Sequence, residues 1–264
     1  MRAVALLVLL LALAACSDEP AARPAATAPP AAPPTTYAAI GDSYTSGAGT
    51  AGSPTSGCRR SPGAYPALVA AGLDAQLTDA SCSGARTEHV SSPQQTDDGS
   101  ANPPQLDAVA PGTDLVTVSL GFNDSGFLRN LVKPGREPAR SITTVPAIGA
   151  RVESVVRLVQ QRAPQARVLV VGYPQLAPPQ GACATLPDEA FAAFAALATE
   201  LGAVASRTGT TYVDVAAASA GHDVCAGPDA WVNGARPQPG VAAPYHPFAS
   251  EQAAVAELVL AELS

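Results

Sequence analysis

The sequence predicts an α/β protein, a three-layer α/β/α arrangement in which helices cover both faces of a central, mainly parallel sheet of five strands. Three observations predict it. Short, continuous apolar runs rich in β-branched residues read as strands buried on both faces. Segments with helical periodicity alternate with them, as in a parallel sheet joined by crossover helices. Several runs stop at a glycine, a common end signal for a strand.

The elements follow in chain order. Tyr37 to Ile40 is a first buried strand, stopped by Gly41. Ala64 to Leu73 reads as a helix, and Gln76 to Ala80 as a weaker strand. Leu115-Val116-Thr117-Val118-Ser119-Leu120 is the strongest strand signal and stops at Gly121. Val152, Val155, Val156 and Val159 recur at helical spacing, which makes 145–162 an amphipathic helix. Val168 to Val171 is a strand stopped by Gly172. Glu189 to Arg207 is an alanine-rich helix, Thr211 to Val215 a strand, and Pro247 to Leu263 the last helix.

The 264 residues suit one domain with an N-terminal attachment. Arg2 and the apolar run Ala3 to Ala12 read as a signal peptide over 1–15. Leu13-Ala14-Ala15-Cys16 resembles a bacterial lipobox, in which Cys16 carries lipid and becomes the first mature residue; an ordinary signal peptide with an incidental Cys16 is the alternative. Residues 16–36 are rich in proline and alanine and read as a semi-extended tether, which leaves 37–264 as the folded domain. Both readings export the protein, to the outer face of the membrane or beyond.

The formal net charge is -7, and Lys133 is the only lysine. That balance argues against a nucleic-acid partner. If Cys16 is lipidated, Cys58, Cys82, Cys183 and Cys225 remain for two disulfides. Chain order favours Cys58–Cys82 and Cys183–Cys225, although three pairings are open. Each bridge restrains the unfolded chain by about 3 kcal/mol. The cysteines have no C-x-x-C spacing, so no metal site is expected, and no cofactor is implied.

Four segments carry chemistry. Gly41-Asp42-Ser43-Tyr44 follows the first strand and exposes a serine at a strand's carboxyl end, where sites of parallel sheets lie. Ser81-Cys82-Ser83-Gly84 follows the second strand, and its glycine lets a backbone N–H approach a substrate oxygen. Gly121-Phe122-Asn123-Asp124 follows the strongest strand, and a carboxamide there stabilises an oxyanion without adding charge. Pro244-Tyr245-His246-Pro247 holds a histidine before the last helix. Each alone is also an ordinary turn or cap.

Together, in this order, the four segments resemble the SGNH/GDSL hydrolase superfamily, and the string Gly41 to Gly47 is similar to its secreted actinobacterial esterases and lipases. The resemblance implies a flavodoxin-like five-stranded sheet. It also implies Ser43 as nucleophile, His246 as base, and an oxyanion hole from Ser43, Gly84 and Asn123. The disulfide pairing above agrees with the same pattern. One departure is plain: the position three before His246, usually Asp in the family, is Ala243. A backbone carbonyl of Ala243 or a neighbour is the favoured partner of the imidazole, with Asp223, Asp229 and Asp214 as rivals. The implied function is hydrolysis of carboxylic esters or lipids. A cell-envelope O-acyltransferase or deacetylase with the same site, and a non-catalytic binding lipoprotein, are the alternatives. Activity is expected to fall below about pH 6.5 as the base is protonated.

Overall fold

The computed structural model describes residues 33–133, 135–178 and 186–264. The expected signal peptide, Cys16, most of the expected tether and Cys183 lie outside them.

The chain runs β1 (Thr36–Gly41), α1 (Ser43–Ser46), α2 (Tyr65–Leu73), β2 (Gln76–Asp79), β3 (Gln94–Gln95), β4 (Ala101–Asn102), β5 (Leu115–Ser119), α3 (Phe127–Val132), α4 (Ala139–Arg162), β6 (Arg167–Val171), α5 (Glu189–Thr208), β7 (Thr211–Val213), α6 (Val215–Ala218) and α7 (Ala249–Leu263). Five strands pair in the order β2-β1-β5-β6-β7, all parallel. The three-layer fold expected from the sequence is the fold found.

Alternation along each strand explains the layers. Ala38, Ile40, Val116, Val118, Val168 and Val170 face one core with α4 and α5. Tyr37, Ala39, Leu115, Leu169 and Val171 face the other with α2 and α7. Successive side chains point to opposite faces, so both faces being covered demands continuous apolar runs.

Three boundaries differ from expectation by two residues or more. The helix expected from residue 145 begins at Ala139, with Pro146 inside it. Proline resembles a helix start in sequence, yet here its missing N–H is tolerated in a helix anchored by buried Ser141, Val145 and Ile148. The strand expected to reach Val215 ends at Val213, because the Asp214 side chain accepts from Ala217 N and starts α6. The last helix begins at Ala249 rather than Pro247, since Pro247 bridges back to Val232.

Candidate active site

β1 delivers Ser43 to the carboxyl edge of the sheet. Gln105, fully buried, holds Gly41 at both backbone groups: Gly41 N donates to Oε1 at 2.8 Å, and Nε2 donates to Gly41 O at 3.0 Å. Only glycine fits at 41, since a Cβ there falls 2.0 Å from Thr45 Oγ1. Asp42 then caps α1, its Oδ1 accepting from Tyr44 N at 2.9 Å, and Ser43 opens the turn, 4% exposed. The Ser43 N–H has no partner among the described residues, as befits the first turn of a helix.

The second segment is tied directly to the first. Cys82 N donates to Gly41 O at 3.0 Å, and a Cys58–Cys82 disulfide secures the loop. That bridge is the pairing expected from chain order. Cys225 is also disulfide-bonded, while its expected partner Cys183 lies outside the described residues. Gly84 sits at φ +80°, a left-handed conformation that favours glycine. Its N–H has no partner among the described residues, whereas Ser83 N and Ala85 N on either side are both bonded.

Asn123 lies against that loop. Its Nδ2 donates to Ala85 O at 3.0 Å and approaches Asp42 Oδ2 at 3.5 Å. Asp124 accepts from Thr87 N and Oγ1, which locks the third segment to the residues after the second. Asp42 is the hub. Fully buried, it accepts from Tyr173 Oη at 2.7 Å, and burial lifts its carboxyl to about 7, against the opposing hydrogen bonds from Tyr44 N and Tyr173.

His246 reaches the same edge through Tyr44, the neighbour of Ser43. The Tyr44 ring stacks on the imidazole with centroids 5.4 Å apart, and its hydroxyl donates to Tyr245 O. Asn233 holds the loop, donating from N to His246 O at 2.9 Å and from Nδ2 to Ala242 O and Ala243 O. The imidazole Nδ1 lies 2.7 Å from Pro244 O. A carbonyl accepts only, so Nδ1 carries the proton and Nε2 is left as the basic nitrogen. The partner is therefore the neighbour of Ala243. Ala243 O takes the backbone N–H of His246 instead. Among the described residues none of the three rival carboxylates bonds to His246: the Asp223 carboxylate accepts from Cys225 N and that of Asp214 caps α6, while Asp229 meets His222 only through its backbone carbonyl. Burial lowers the His246 pKa below the ordinary imidazole value, and the bond to Pro244 opposes this. Among the described residues no hydrogen bond joins Ser43 Oγ to His246.

The other histidines are placed differently. His222 stacks on Trp231 at 4.5 Å and packs its loop. His89 accepts from Arg86 N at 3.0 Å and lines a cleft beside Gly84 and Asn123. Phe122, Phe127 and Leu128, in and after the third segment, are core residues; Phe122 stacks on Tyr173 with centroids 3.6 Å apart. No cluster of metal-ligating side chains occurs among the described residues.

Two buried carboxyls set a pH signature. Burial raises Asp42 to about 7 and Glu251, in the first turn of α7, to about 8. A carboxyl raised in this way contributes stability that is complete below its unfolded pKa and lost as pH rises through the folded one. The lowered pKa values of His89 and His246 act only below the ordinary imidazole value, with opposite sign. Tm is thus expected to fall by about 3–6 °C between about pH 6.5 and about pH 8.5. Glu251→Gln flattens most of that fall in a thermal melt series; an unchanged slope refutes the assignment.

A flavodoxin-like sheet bringing a serine, a glycine, an asparagine and a histidine segment to one edge defines the SGNH class of hydrolases. The chain belongs to the GDSL-like lipase/acylhydrolase family, whose model matches residues 39–250. It is 34% identical over 238 residues to a lipase of Streptomyces rimosus, covering 83% of this chain and 82% of that one. The crystal structure of the extracellular lipase from Streptomyces rimosus superposes with a TM-score of 0.73 at 31% identity, over 87% of this chain and all of the other. Phospholipase A1 from Streptomyces albidoflavus gives 0.70 at 30% identity, over 88% of this chain and all of that one. The chain is accordingly a carboxylic ester hydrolase, which sets aside the reading as a non-catalytic binding lipoprotein.

Proposed function

We propose that this protein is an exported, lipid-anchored serine esterase or lipase working through an acyl-enzyme. The observation that carries the reading is His246: a neutral imidazole, its Nδ1 held by the Pro244 carbonyl, stacked beside the turn that opens with Ser43. Ser43 Oγ attacks the ester carbonyl carbon while His246 Nε2 takes the hydroxyl proton. The oxyanion is met by the free N–H groups of Ser43 and Gly84 and by Asn123 Nδ2. His246 returns its proton to the leaving alcohol as the acyl–oxygen bond breaks. Water, deprotonated by the same nitrogen, then releases the acid and restores Ser43. Serine–histidine hydrogen bonds in such sites are often long without substrate and tighten in its complex, in keeping with the lack of a Ser43–His246 hydrogen bond among the described residues.

Export rests on the signal peptide over 1–15 and lipid attachment on Cys16, with the 16–36 tether carrying the domain away from the membrane. A relative described as extracellular supports export. The second bridge is assigned to Cys183–Cys225.

Purified protein is to be assayed on p-nitrophenyl esters of short to long acyl chain, with intact-mass detection of the acyl-enzyme. Turnover with a transient acyl adduct supports the reading. Adduct formation without hydrolysis favours acyl transfer to an envelope glycan. No turnover and no adduct refute it.

Two expected results belong here. Asn123→Ala folds normally and loses about two to three decades of kcat, the cost of one oxyanion donor; near-normal kcat in a folded variant removes Asn123 from the hole. The acid limb of kcat/KM has its inflection below the ordinary imidazole value of 6.5, because burial favours the neutral ring. An inflection above 6.5 contradicts that placement of His246.

A further inference from the structure

Gly84 and Asn123 stand in the wall of a cleft of about 870 Å³ that the β3 segment also lines, and beyond those two donors the ester mechanism leaves its lining unused. Its lining is unlike an acyl pocket. Apart from Pro93 no aliphatic side chain faces it, so a fatty chain gains little there. Arg59, Arg86 and Arg129 converge on it against one acidic lining residue, Asp97, in a protein of net charge -7. Arg59 pairs with Asp97 and Arg86 with Glu88, both at partly exposed positions. Arg129 is exposed and makes no ion pair among the described residues. The wall also holds two unsatisfied polar atoms. Gln94, 5% exposed, donates from Nε2 to Ser83 O at 2.8 Å while its Oε1 is buried without a partner, and Arg59 Nε is unpaired as well. Both atoms are sealed from solvent, so the ligand-facing chemistry of the cleft is that of its arginines.

The geometry points to this cleft as the subsite for the leaving alcohol, selecting esters whose alcohol portion carries an acidic group. The inference rests on the ester-hydrolase reading above and adds the substrate class. A phosphate or carboxylate accepts from the guanidinium of Arg129 and from Arg86, where planar donor pairs match its oxygens. The acyl carbonyl stays between Ser43 and the Gly84–Asn123 donors, and the chemistry is unchanged.

The test compares kcat/KM on 1-butyrylglycerol, 1-butyrylglycerol 3-phosphate and the butyryl ester of glyceric acid, with p-nitrophenyl butyrate as a neutral control. The acidic esters are expected to be preferred over 1-butyrylglycerol by about fivefold or more at low salt, less in about 0.5 M NaCl. A preference for the phosphate alone assigns the cleft to phosphate esters, and an equal preference assigns it to acidic alcohols generally; both support the subsite. Arg129→Gln lowers the acidic-to-neutral ratio about threefold or more, and Arg129→Glu brings it below one. A wild-type ratio near one, or a ratio indifferent to Arg129→Glu, overturns the subsite while p-nitrophenyl butyrate turnover leaves the hydrolase reading intact. No turnover of any ester by the wild type overturns both.

Discussion

Ser43→Ala abolishes turnover of p-nitrophenyl butyrate to within the reach of the remaining site, a loss of about four decades or more in kcat. The substitution removes one oxygen atom. That oxygen makes no hydrogen bond among the described residues; the backbone of α1 is held by Asp42 and Gln252, and Gly41 before it by Gln105, rather than by the serine side chain. No buried partner is orphaned, so Tm is expected within about 2 °C of wild type. Residual hydrolysis reflects substrate binding and the donors of Gly84 and Asn123. Steady-state kinetics paired with a thermal melt separates this outcome from misfolding. A folded variant with a tenth of wild-type kcat displaces Ser43 as nucleophile.

His246→Ala is expected to cost about as much, and the double variant scarcely more, because the two side chains act as one unit. Removing the ring leaves the half-buried Pro244 carbonyl without its donor, worth about 1 kcal/mol of stability. The loss in rate is far larger and is not a folding effect. Added imidazole restores part of the activity by supplying a neutral base to the vacated space, a recovery that a purely structural histidine does not permit. Additive losses in the double variant, or no rescue in a folded His246→Ala protein with full labelling of Ser43, contradict a Ser43–His246 pair. The absence of a carboxylate behind His246 fits the direction of its pKa. A carbonyl orients the ring without the charge that favours imidazolium, so burial prevails and the neutral base persists into mildly acidic solution.

Much of this was readable in the chain because local rules and global fold agree. β1, β5 and β6 are continuous apolar runs stopped near glycine, and their burial on both faces is what such runs require. β7 was overrun because the side chain of Asp214 captures Ala217 N, a competition that propensity does not weigh. The β3–β4 hairpin left no signal: its strands are two residues long and polar. At the site, the four segments announced themselves by order. Their supports did not, since they are polar contacts between distant positions. Gln105 grips Gly41 across 64 residues, and Tyr173 reaches Asp42 across 131. Tyr245, between Pro244 and His246, adopts a φ of +56°, which no residue pattern foretells.

Turnover through an acyl-enzyme requires that one serine, Ser43, become covalently acylated. Treating the protein with a fluorophosphonate and mapping the adduct by peptide mass spectrometry tests this requirement. A single stoichiometric adduct is expected on the peptide carrying Gly41-Asp42-Ser43-Tyr44, absent in Ser43→Ala and suppressed in His246→Ala. An active protein that takes no label, or takes it at another residue, refutes Ser43 as the nucleophile.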